Sequence, residues 1–79
     1  MSDEPLLTLE QLVVVCAVSG EWVRERVAEG LLPARFDTLV VRRVRRMHAL
    51  ERDFEAAPEL AALMADLLEE LDALRARLG

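Results

Sequence analysis

The chain contains no lysine, no isoleucine and no tyrosine, and among its 79 residues there is one cysteine and one histidine. A lone Cys16 cannot close an internal disulfide and fits a reducing, cytoplasmic setting. One cysteine and one histidine cannot make the paired Cys/His set that a structural zinc needs. There is no glycine-rich phosphate loop and no Ser/His/Asp set, so neither an enzyme nor a cofactor-binding protein is expected. No apolar run approaches the roughly 18 residues of a membrane span. The opening "MSDEPLL" lacks the basic start and long apolar stretch of a secretory signal. All ten basic residues are arginine, which reflects coding bias and fits thermophily.

What is present is a small, acidic, apolar chain. Hydrophobic residues make up 53% and charged residues 32%, a globular composition. The net charge of −5 favours basic partners over nucleic acid. A core of this size is marginal alone, so self-association or a partner is expected.

Four helices with short joints account for the pattern. Thr8 is a cap for the first, with Gln11 at the capping-box position and Leu9, Leu12, Val13 and Cys16 at helical spacing. "VSG" is a turn, with Ser19 capping a second helix from about Gly20 to Glu29 that buries Val23 and Val27 and stops at Gly30. Pro33 keeps "LLPAR" extended. Asp37 caps a third helix, about 38–54, with a buried stripe of Val40, Val44, Met47 and Phe54. Pro58 suits the first turn of a fourth helix, about 58–78. Residues 1–5 are expected to be a flexible tail. His48 and Cys16 fit packing roles better than chemistry.

Three surface features carry functional weight. On the second helix a 100° wheel turns Glu21, Arg24, Glu25 and Glu29 outward, with Trp22 at the margin as either a partner anchor or a lid on the core. The block "RRVRR" turns Arg42, Arg45 and Arg46 away from the apolar stripe, with Arg43 at its flank; it is a solvated face, a second patch for an acidic partner, or a nucleic-acid contact. On the fourth helix Leu60, Met64, Leu67, Leu71, Leu74 and Leu78 form an a/d seam, widened by Leu63 and Leu68. That seam suits self-association or a partner helix, or else packing on its own domain; in a parallel pair Glu70 would face Arg75.

Residues 8 to 35 resemble the N-terminal helix-turn-helix of the MerR family. The resemblance rests on "LTLEQL", on "VS" at the turn, on Arg24 and on "EGLLPAR" at the exit. The aromatic pair that follows the family's arginine is replaced by Glu25 and Arg26, and the basic β-wing is gone, since only "ARF" separates the exit loop from Asp37. The outward face offers one arginine against three carboxylates, whereas phosphate contacts supply essentially all non-specific DNA affinity. The chain is similar to the CbpM-like chaperone modulators, and in its short wingless form to the small DnaK–DnaJ assembly factors of thermophilic bacteria. That branch keeps the MerR-type helices but binds J-domain proteins. "RRMHALERDFEAAPELAALMADLLEEL", with its Asp53–Phe54 pair, resembles its later helices.

The resemblance implies an all-α fold, a MerR-like module over 6–35 and a helical region over 36–79. It also implies a J-domain co-chaperone of DnaJ or CbpA type as partner, with DnaK as a second. J-domains present a basic second helix, to which an acidic helix flanked by Trp22 is complementary. MerR relatives dimerise through an antiparallel helix pair, so the orientation of any seam stays open. The alternatives are a DNA-binding regulator that has lost its wing and a bare dimerisation module.

Overall fold

A computed structural model describes residues 5–79, and of the expected tail only Pro5 falls within that range. The described chain is all-helical: α1 (Leu9–Cys16), α2 (Gly20–Ala28), α3 (Thr38–Phe54) and α4 (Pro58–Leu78). Apart from helices there is one isolated antiparallel bridge, Leu7 to Phe36, whose Leu7 N–H donates to the Phe36 carbonyl at 2.9 Å. It ties the segment before α1 to the segment before α3.

Local chemistry starts and stops the helices. Thr8 Oγ1 accepts from Gln11 N–H at 3.1 Å while Gln11 Oε1 accepts from Thr8 N–H at 2.9 Å, so two orphan donors are satisfied reciprocally. Ser19 accepts from Trp22 N–H at 3.0 Å and Asp37 from Val40 N–H at 3.0 Å, capping α2 and α3. Gly30 sits at φ 77°, where a residue with a Cβ is strained. Pro58 opens α4, whose cap residue Ala57 offers no side chain to accept.

Leu12, Val23, Val44 and Met47 are the largest fully buried side chains, so α1, α2 and α3 meet around the middle of α3. α4 packs on α3 through Ala61, Ala62 and Ala65. Two expectations are corrected. Phe54 is not part of the buried stripe but is 68% exposed, two turns beyond Met47 at the last residue of α3, where the core has ended. Leu63 does not help α4 pack on its domain but is exposed, and Leu68 is only half-buried; the small residues do the packing. No helix among the described residues is long and apolar enough to cross a membrane.

Candidate functional site

α2 projects its charges unevenly. Val23 is fully buried and Val27 half-buried against the core. Glu21, Arg24, Glu25 and Glu29 are all exposed. Arg26, the other arginine of the helix, is turned inward and is only 7% exposed. Its Nη2 lies 2.6 Å from Glu51 Oε1 and its Nε 3.2 Å from Glu51 Oε2, a two-point clasp between α2 and α3. Nη1 also meets Glu25 Oε1 at 3.1 Å. The outward face is therefore three carboxylates and one arginine, Arg24, with Glu25 partly neutralised from beneath.

Trp22 is half-buried and tied to the domain. Its Nε1 donates to Glu51 Oε1 at 3.3 Å, the Arg26 guanidinium lies 4.3 Å over its ring, and His48 meets it edge-on with centroids 5.6 Å apart. The indole thus roofs the Arg26–Glu51 clasp and excludes water from it. What remains of its surface borders the acidic face. Glu51 and Arg26 are not marked as site residues by the sequence alone. Arg26 flanks Val23 on the wheel, on the side away from Val27, and a charge at that edge of the core needs a partner, but the sequence does not single out Glu51 among fifteen acidic residues.

The arginine block of α3 is largely engaged within the chain. Arg43 Nη1 bridges Asp66 at 2.7 Å and Glu69 at 2.9 Å, and its Nε donates to the Leu31 carbonyl at 3.2 Å. Arg46 reaches Asp72 at 3.2 Å and Arg42 the same carboxylate at 3.6 Å. Arg45 donates to the Val15 carbonyl at 3.1 Å. α3 and α4 are therefore joined by a ladder of arginines and carboxylates beside an alanine contact that allows close approach. These carboxylates compete with any phosphate for the same guanidinium groups. Arg42, with 61% of its side chain in solvent, and Arg45 are the exposed members of the block. Between the ladder and the Pro33 loop lies an open groove of about 390 Å³ floored by Leu39 and Val40.

The third set of residues lies apart from both. Leu60, Leu67, Leu71, Leu74 and Leu78 are 45–87% exposed, Leu63 joins them, and Met64 is half-buried. None of these leucines belongs to the core cluster, and α4 makes its main contact with α3 rather than α2. Cys16 is buried, its Sγ 3.8 Å from the Val41 carbonyl. Burial pushes the thiol above its ordinary value of 9.0, against the opposing pull of nearby Arg45.

No family model, no curated protein and no solved structure matches this chain.

Proposed function

We propose that this chain is a protein-binding module of the chaperone-modulator kind. It engages the J-domain of a DnaJ- or CbpA-type co-chaperone in the cytoplasm and regulates or assembles the complex of that co-chaperone with DnaK. Its role is binding rather than catalysis. The observation that carries the reading is the outward face of α2, where Glu21, Glu25 and Glu29 stand exposed beside Arg24 while Arg26 is drawn inside to Glu51. The position that a MerR-like DNA reader would present to phosphate is thus anionic, and it suits a basic helix. Trp22 acts mainly as a roof over the clasp and offers its rim to the partner. Arg43 and Arg46 are held by α4, so Arg45 and the exposed Arg42, whose contact with Asp72 is the longest of the ladder at 3.6 Å, are the arginines that an acidic surface, such as one on DnaK, would meet.

Parallel titrations of a purified J-domain and of duplex DNA at physiological salt test the reading. Saturable, salt-sensitive J-domain binding with only weak DNA association is expected. A sequence-specific footprint in the range of about 10⁻⁸ M or tighter would mark a wingless DNA-binding regulator instead.

A further inference from the structure

α4 holds its domain with its small side chains and turns its large ones away. At 100° per residue the arc of Leu60, Met64, Leu67, Leu71, Leu74 and Leu78 is centred roughly 150° from that of Ala61, Ala62 and Ala65. The stripe runs about 27 Å along the helix at 1.5 Å per residue. Its leucines are solvent-exposed along that whole length. Spacings alternating between four and three residues are those of a helix pair, with Leu60, Leu67 and Leu74 at d and Met64, Leu71 and Leu78 at a.

The charges beside this stripe indicate what covers it. Asp66, Glu69 and Asp72, behind the stripe, are bound by Arg43, Arg42 and Arg46 of the same chain. Glu70 and Arg75, at the edges of the stripe, have no ion-pair partner among the described residues. Five residues apart, they do not face each other along one helix. They occupy g and the following e, positions that meet across two parallel helices. Leu63 and Leu68 occupy the preceding g and e and would meet in the same way. An antiparallel pair would set Glu70 against its own copy, a like-charge contact. We propose that the leucine face is covered by α4 of a second copy running parallel, sealed by the a/d seam and flanked by two symmetry-related Glu70–Arg75 pairs. The J-domain reading is not needed for this, but a two-copy particle would carry two acidic α2 faces.

Sedimentation equilibrium of the full chain alone, with concentrations up to about 1 mM, and disulfide trapping test the proposal without any partner. The expected result is a dimer. The Leu78→Cys variant should then trap itself as a disulfide-linked dimer under mild oxidation, since both copies of an a position lie side by side. Glu70→Arg should weaken the dimer roughly tenfold, because two attractive pairs become two repulsive ones, and Glu70→Arg/Arg75→Glu should restore it. A monomer at every concentration overturns the proposal. So does preferential cross-linking between Leu60→Cys and Leu78→Cys variants in a mixture, which would mark antiparallel helices.

Discussion

Replacing Glu51 with alanine should destabilise the fold well beyond the range of an ordinary surface substitution. Glu51 receives both ends of the Arg26 clasp at 2.6 and 3.2 Å and the Trp22 indole N–H at 3.3 Å. Side-chain exposure is 9% for Arg26 and 14% for Glu51, so solvent screens the pair little. Removing one partner of such a pair strands a buried charge and costs about 3–5 kcal/mol. Glu25 still touches Arg26 at 3.1 Å and offsets part of the loss, which favours the lower end, about 3 kcal/mol. A domain of this length holds roughly 4–12 kcal/mol in all, so a quarter or more of its stability disappears. At about 4–8 °C per kcal/mol the melting temperature falls by roughly 12–24 °C. Thermal unfolding followed by far-ultraviolet circular dichroism and by Trp22 fluorescence reads this directly. Glu51→Gln keeps an acceptor for Trp22 and should lose less. Arg26→Met/Glu51→Leu removes both charges and replaces them with apolar volume, so it should lie near wild type. A Glu51→Ala loss below about 1 kcal/mol, the range of an exposed pair, would refute the clasp as a buried element.

The exposure pattern separates the core from the stripe. Met47→Ala should cost about 2–5 kcal/mol by leaving a cavity, while Leu67→Ala, measured by urea unfolding at low protein concentration, should stay within about 0.5 kcal/mol because its side chain is already in water. Cys16 makes stability depend on pH at the alkaline end. Its thiol titrates higher in the fold than in the unfolded chain, so its contribution is complete below about pH 9 and is lost as pH rises through the folded value; Cys16→Ala should flatten that alkaline decline in denaturation curves taken from pH 8 to 10.5.

Helix ends were the most legible part of the fold. Thr8 with Gln11, Ser19, Asp37, Gly30 and Pro58 are local signals, and each acts within three residues of its own position. The left-handed turns at Ala17 and Glu55 were not legible, since neither residue type favours that conformation and tertiary context imposes it. A helical wheel gives direction but not whether anything lies in that direction. Phe54 shares a face with Met47 and is nonetheless in solvent. The same limit applies to α4, where the leucine spacing marks a seam but leaves open whether the seam meets its own domain or another helix. Close approach to α3 instead requires alanines, and it is this approach that lets Arg43 and Arg46 reach Asp66, Glu69 and Asp72. The acidic residues of α2 could be placed outward from spacing alone, whereas the inward turn of Arg26 depends on a partner 25 residues away.

Calorimetric titration of a purified J-domain into wild type and into a Glu21→Arg/Glu29→Arg variant addresses the central claim. Both glutamates are exposed and neither takes part in an ion pair among the described residues, so the variant should keep its fold, as circular dichroism checks first. Wild type should bind, with affinity falling as salt shortens the screening length to about 8 Å and below. The variant should bind at least about tenfold more weakly, as like charges replace complementary ones. No heat of binding from wild type, or equal affinity for the two proteins, would contradict the account.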